Sequence, residues 1–372
     1  MRANLRVSLV AFVPLFASVN VMEGHRQVAL TNRSGNVAPV GDMAAARFDH
    51  TATLLPDGRV LIVGGLERNG VIQSSAELFD PATGRFAPAG KLQSRRGWGI
   101  TAAPLPGGKV LIAGGATASS CSAECYLPSA ELYDPSTNSF VPTGSMSVPR
   151  AGATALSLPN GNVLVVGGNE MSGLHAHATA ELYHPQTGAF SPAGELPSSD
   201  AAPQLVLLKT GQVLVIGKSG CEIYDASANR FVPTGGMIVA RAKFGAALLA
   251  NGKVLVAGGQ VGGAYGARVA STEIYDPASG TFAPGPNLNY KRFKLAKTVL
   301  LLRDGRILVG GGNEQPEIYD LVLRRFVVVD GHKLDGFLFS TATLLQDGRV
   351  LLAGGYSVPG GPGVNHAWLY QP

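Results

Sequence analysis

Seven times along this chain an apolar run ends on a glycine, followed in six of the seven by a second: Gly64-Gly65, Gly114-Gly115, Gly167-Gly168, Gly217-Lys218, Gly258-Gly259, Gly311-Gly312 and Gly354-Gly355, spaced 41 to 53 residues apart. A period of that length marks repeated supersecondary units, each unable to bury its own apolar faces and each completed by its neighbours. The unit is clearest over residues 47–98. Arg47 opens a strand from His50 to Leu55, Pro56-Asp57-Gly58 reverses it, and Arg59 to Val63 returns. After a loop, Ala76 to Pro81 and the segment holding Phe86, Pro88 and Gly90 form a second hairpin. Each unit is therefore read as four strands, a to d in chain order.

The turns support this pairing. Asp57-Gly58, Asn160-Gly161, Asn251-Gly252, Asp304-Gly305 and Asp347-Gly348 accept the positive φ of a tight reversal, so strands a and b pair antiparallel. In strand c an aromatic (Phe79, Tyr133, Tyr183, Tyr224, Tyr275 or Tyr319) is followed seven residues later by Phe86, Phe140, Phe190, Phe231, Phe282 or Phe326, a fixed interval that implies one c-to-d hairpin geometry. Strand b runs such as Val163-Leu164-Val165-Val166 are apolar on both sides, which fits sheets buried on both faces between neighbours. A ring of sheets satisfies that requirement. With 49 Gly and 24 Pro, no helical periodicity survives beyond the N-terminal stretch. Residues 338–372 supply strands a, b and c of a last unit, and Val37-Ala38-Pro39-Val40-Gly41 matches the strand d segment Phe86-Ala87-Pro88-Ala89-Gly90. The expectation is an all-β, seven-bladed β-propeller over 33–372, closed by an N-terminal strand in the last blade.

Arg2 and Arg6 precede an apolar stretch from Val7 to Val19 that holds Pro14 and is short for a bilayer span. It reads as a secretory leader over 1–20, with a linker over 21–32. A secreted, periplasmic or cell-surface location, with no membrane span in the remaining chain and a monomeric state, is expected. The net charge of +5 is spread over the repeats without basic-aromatic clusters, which argues against nucleic acid as a partner. Cys121 and Cys125 flank three residues in a small-residue loop and Cys221 stands apart. A local disulfide and two free thiols are both open for the first two.

The paired glycines after an apolar strand, the Glu-Leu-Tyr-Asp-Pro segment, the later aromatic and the Arg opening the next unit together resemble kelch repeats, with Phe in place of the usual Trp. The resemblance covers 33–372 and is similar to exported bacterial kelch-repeat proteins and to the propeller of galactose oxidase. It implies fold more than function, since such propellers host adaptors, binders and some enzymes. The reading adopted is a non-catalytic binding scaffold for a carbohydrate or protein partner, engaged through the b-to-c and d-to-a loop face, where the interval from the glycine pair to the Glu position varies most. Long loops of blades 1, 2, 3, 5 and 7 are expected to wall a recess. The alternative is a small-molecule enzyme, a sugar mutarotase or a copper-radical oxidase.

Aligned by a constant offset, the d-to-a junction carries Arg47, Gly97, Arg150, Asp200, Arg241, Lys294 and Phe337. The resemblance to kelch adaptors implies ligand binding by Arg47, Arg150, Arg241 and Lys294; the competing role is bracing against Glu77, Glu131, Glu181, Glu222, Glu273 and Glu317. His50 is added as a ligand-binding candidate because Arg47-Phe48-Asp49-His50-Thr51 looks like a segment of the galactose oxidase family. The positions aligned with His50 are Ile100, Ala153, Pro203, Phe244, Lys297 and Ser340, so no second imidazole joins it. Tyr183-His184 is explained by the repeat, and His175 and His177 with Glu170 read as an exposed loop. No catalytic residue, metal site or cofactor is assigned.

Overall fold

The unit read from sequence recurs in the computed structural model, which describes Ser34–Pro372 apart from short stretches at 68–69, 119–124, 170–175, 198–201, 219, 264–265 and 359–360. The expected leader and linker, Cys121, Glu170, His175 and Asp200 lie outside the described residues. In the first blade strands a to d are Thr51–Leu54, Val60–Val63, Ser75–Asp80 and Arg85–Lys91. They pair antiparallel with registers Thr51↔Val63, Val60↔Phe79 and Phe79↔Phe86. The last of these explains the seven-residue interval. It sets the two aromatics directly across the c-to-d hairpin, with ring centroids 4.8 to 5.3 Å apart in blades 1 to 6, a favourable cross-strand pair.

Among the described residues the chain forms seven such sheets, and Pro106–Gly108 is a single helical turn. The inner strands of blades 2 to 7 are Ile100–Pro104, Thr154–Ser157, Gln204–Leu207, Gly245–Leu248, Val299–Leu301 and Thr341–Leu344. Strand b is buried from end to end, for example at Val163–Val166. Its side chains enter apolar clusters shared with the neighbouring blade: Leu61 and Val63 pack with Val110, Ile112 and Tyr133. Removing that much apolar surface on both sides of every sheet is what holds the ring together.

The closure expected from the chain ends is present. Asn36–Pro39 pairs antiparallel with Ala367–Gln371, in register Asn36↔Gln371 to Pro39↔Trp368, and so completes the blade built on Thr341–Leu344 and Val350–Ala353. Neighbouring blades are also stitched at the glycine pairs. The amides of Gly65, Gly115, Gly259 and Gly355 donate to the carbonyls of Arg96, Arg150, Arg292 and Arg47, each in the next blade, at 2.8 to 3.1 Å. Gly65 has φ +93, and a Cβ there would stand 2.8 Å from the Phe48 carbonyl, so the contact requires glycine.

Candidate functional site

The arginines that open the blades are structural anchors. Arg47, Arg96, Arg150, Arg241 and Arg292 are fully buried and pair with Glu77, Glu131, Glu181, Glu273 and Glu317 at 2.6 to 3.2 Å. Each also donates to the carbonyl of the first residue of its glycine pair, as Arg47 does to Gly64 at 2.8 Å and Arg150 to Gly167 at 2.7 Å. The glutamates in turn accept backbone amides of the incoming d-to-a segment, such as Ala44 to Glu77 and Ser147 to Glu181 at 2.7 Å. Each pair therefore clamps the arriving chain onto strand c of its own blade. Arg47, Arg150 and Arg241 make the bracing contacts weighed in the sequence reading and do not line the recess described below.

The constant offset misplaced two members of this set. Arg96, not Gly97, and Arg292, not Lys294, occupy the Arg47 position. Arg47 stands four residues before Thr51, which pairs with Val63. Arg96 stands five before its equivalent Thr101, which pairs with Ala113. Arg292 stands six before Thr298, whose carbonyl accepts from Gly310. Blades 2 and 6 thus carry one and two additional residues in the junction, and these deliver Gly99 and Lys294 to the axis. Blade 7 replaces the ion pair with Phe337 and Trp368, which share one apolar cluster.

The d-to-a junctions meet around the axis in a ring of left-handed residues: Asp49 (φ 54), Gly99 (φ 71), Gly152 (φ 84), Lys243 (φ 58), Lys294 (φ 61) and Phe339 (φ 55). For the four that carry side chains this conformation is uncommon, and such residues cluster where a fold over-determines them. Here the ring is tied edge to edge. Asp49 N donates to Phe339 O at 2.9 Å, Gly152 N to Gly99 O at 2.9 Å and Lys294 N to Lys243 O at 2.7 Å, while Gly99 N donates to Asp49 Oδ2 at 2.8 Å.

This ring forms the mouth of an axial recess of about 250 Å³ on the d-to-a face, lined by residues of all seven blades. Its polar lining is Lys243, Lys294, Lys297, Asp49, Asn169, Gln204, Thr154 and Ser340, and Trp98 and Phe339 present aromatic surface. Beneath it lies a second cavity of about 210 Å³, lined mainly by inner-strand threonines and alanines; Lys297 and Thr154 border both. Among the described residues, Asn169 alone enters the recess lining from a b-to-c segment, and the long loops expected as walls fall partly outside the described residues.

The charges are unevenly matched. Lys297 Nζ donates to the His50 carbonyl at 2.9 Å and lies 3.7 Å from Asp49 Oδ1. Burial pushes the Asp49 carboxyl up, against the opposing pull of Lys297, the Gly99 amide and Lys294. Burial likewise lowers the Lys297 ammonium against the pull of Asp49. Lys294 sits against the rings of Phe293, Phe339 and Tyr356, at 5.2, 4.3 and 4.9 Å from their centroids, and donates to Tyr356 Oη. Burial, then Lys243, lowers it to about 8. Three lysines against one carboxylate make the mouth electropositive.

His50 is fully buried below this mouth, with Nε2 bonded to Thr341 Oγ1 at 3.0 Å and Nδ1 without a hydrogen-bond partner beside the Gly354 backbone. Burial, then Arg47 and Lys297, holds its pKa well below the usual imidazole value, so it is neutral at pH 7. The donors near the axis do not suit copper. The ring positions equivalent to His50 carry Ile100, Ala153, Pro203, Phe244, Lys297 and Ser340, and no three His, Cys, Asp or Glu converge among the described residues. His184 bonds Ser191 Oγ across the c-to-d hairpin at 2.7 Å, and His177 bonds the Pro149 carbonyl at 3.1 Å. Cys125 is disulfide-bonded. Cys221 is free and buried, its thiol pushed up to about 12 by that burial.

Of the ligand-binding candidates Arg47, His50, Arg150, Arg241 and Lys294, only Lys294 lines the recess. Asp49, Lys243 and Phe339 were missed although each directly precedes the His50 position of its own blade, and Tyr356 directly follows the last glycine pair. Reading those two columns across the seven repeats would have gathered them.

The kelch motif matches residues 242–289, which span blade 5. No curated protein matches the chain in sequence. Among solved structures, a fungal alcohol oxidase of the AA5 family in complex with copper superposes with a TM-score of 0.73 and 19% identity, covering 91% of this chain and 76% of that one. The protein YjhT superposes with a TM-score of 0.60 and 15% identity, covering 77% of this chain and 98% of that one. At such identities the likeness speaks for the fold.

Proposed function

We propose that this seven-bladed propeller of kelch-type repeats is a binding protein whose axial recess takes a small anionic carbohydrate, one sugar ring bearing a carboxylate. The observation that carries the reading is the convergence of Lys243, Lys294 and Lys297 on a recess that also offers Trp98 and Phe339. Ammonium groups favour an anion, and aromatic faces suit the apolar face of a sugar. At about 250 Å³ the recess falls below the usual range for drug-sized ligands, which favours a single ring over an oligosaccharide chain. An exported location belongs to the same proposal. It is supported by the Arg2, Arg6 and Val7-to-Val19 pattern and by the disulfide at Cys125, since such bonds persist in oxidising compartments.

Titration calorimetry with glucuronate and glucose, preceded by a glycan array, tests the recess. Glucuronate is expected to bind and glucose to bind at least about ten-fold more weakly, with Lys243→Glu reducing the acidic ligand's affinity by about ten-fold or more, the size of one well-placed charge contact. Equal binding of both sugars, unchanged in the Lys243→Glu protein, would remove the basis of the reading.

A further inference from the structure

The ammonium of Lys294 has no carboxylate within ion-pairing distance among the described residues, unlike Lys297 beside Asp49. It points instead into a pocket of rings, bonded to a phenol and bordering the recess. We propose that Lys294 is a carbonyl-capturing amine, which condenses reversibly with a 2-oxo acid in the recess to form an imine while Lys243 and Lys297 hold the carboxylate. The inference deepens the reading above and rests on it for the location of the ligand.

Three features make this lysine suited to the step. Its backbone is held left-handed at φ 61 by the Lys294 N to Lys243 O bond of 2.7 Å, so the side chain starts from a fixed point. Its environment withdraws water from the amine. The ring faces attract the ammonium, but burial outweighs them, with Lys243 and Arg268 adding like charge and Asp49 the opposing attraction, and the pKa falls to about 8. About a tenth of the side chains are then neutral at pH 7, against about one in 2,500 for an ordinary lysine. Finally, Tyr356 is itself buried. Its phenol is pushed up by that burial and next by Asp49, so it remains protonated at neutral pH and stands where a proton must be exchanged.

The step balances without an added oxidant or reductant. The Lys294 nitrogen lone pair forms an N–C bond to the carbonyl carbon, and the carbonyl π pair moves to oxygen, which takes a proton from Tyr356 Oη. The phenolate takes a proton back from the positively charged nitrogen to give the carbinolamine, which expels its hydroxyl as water with a second proton from Tyr356, and the iminium N–H then restores that phenol. Amine and ketone become imine and water, and hydrolysis reverses the sequence.

The test uses the full chain with pyruvate as the probe and cyanoborohydride as the trapping reductant, read by peptide mass mapping from pH 6 to 9. The peptide carrying Lys294 is expected to gain one reduced adduct at least about ten-fold faster than the peptide carrying the exposed Lys91, a conservative fraction of the free-amine advantage. The rate should rise toward pH 8 and level off. Lys294→Arg should abolish the selective adduct, and Tyr356→Phe should slow it by about ten-fold, within the usual range for a proton-transfer group, both with unchanged circular dichroism. Even labelling of surface lysines, or no adduct at Lys294, overturns the proposal. If glucuronate still binds, the recess reading stands alone; if it does not, both fall.

Discussion

Replacing Arg150 by Ala isolates the value of one brace. The change removes the donations from Nη1 to Gly167 O at 2.7 Å and Thr179 O at 3.0 Å, from Nη2 to Thr179 Oγ1 at 2.8 Å, and from Nε and Nη2 to Glu181 Oε1 at 3.2 Å. Glu181 is left 2% exposed with the Ser147 amide still bound, a buried carboxylate without its cation. Breaking a buried pair in this way costs about 3–5 kcal/mol. For the roughly 340 residues of the ring, an unfolding entropy near 2 cal/mol/K per residue gives about 0.7 kcal/mol per degree, so Tm should fall by about 4–7 °C in a calorimetric scan. The blade 7 solution, introduced as Arg150→Phe with Glu181→Trp, should recover at least half of the loss, because the cost lies in the stranded charge more than in the absent cation. A Tm for Arg150→Ala within about 1 °C of the parent would refute the brace. If such a protein also lost affinity for acidic ligands, the binding role weighed for the junction arginines would take its place.

Two further outcomes follow from the ring. A chain shortened to begin at Asp42 lacks strand Asn36–Pro39 and exposes the edge of Ala367–Gln371; limited proteolysis should cut blade 7 first, and solubility should drop as that edge finds other partners. Gly99→Ala places a Cβ 2.1 Å from the Gly152 amide at φ +71, so beyond the ~1–2 kcal/mol of the left-handed backbone the junction itself must shift. Thermal scans should show destabilisation exceeding that figure, together with weakened ligand binding.

The scaffold was legible because its determinants are local and repeated. Gly-containing turns set the a-to-b hairpins, the aromatic interval set the c-to-d register, and the Val37–Gly41 match set the closure. Blade count and closure both emerge as read from these signals. The site was less legible because it arises where the repeat departs from itself. The additional junction residues in blades 2 and 6 defeat a constant offset, so Arg96 and Arg292 were overlooked as braces while Lys294, which does reach the mouth, was assigned to the Arg47 position. Asp49, Lys243 and Phe339 share a column whose common property is backbone conformation, not side-chain type, and composition alone does not reveal it.

Joining Ser34 and Tyr370, 336 positions apart in the chain, gives the molecule a history as well as a shape. During synthesis, at about 5–20 residues per second, the earlier of these two segments waits roughly 15–70 s for its later partner. Six blades have all their strands within their own stretch of chain and can form in turn, whereas the seventh must join Asn36–Pro39 to Ala367–Gln371 across all the others. The rim of that last sheet is thus the part of the nascent molecule exposed longest to chaperones, proteases and other copies of itself.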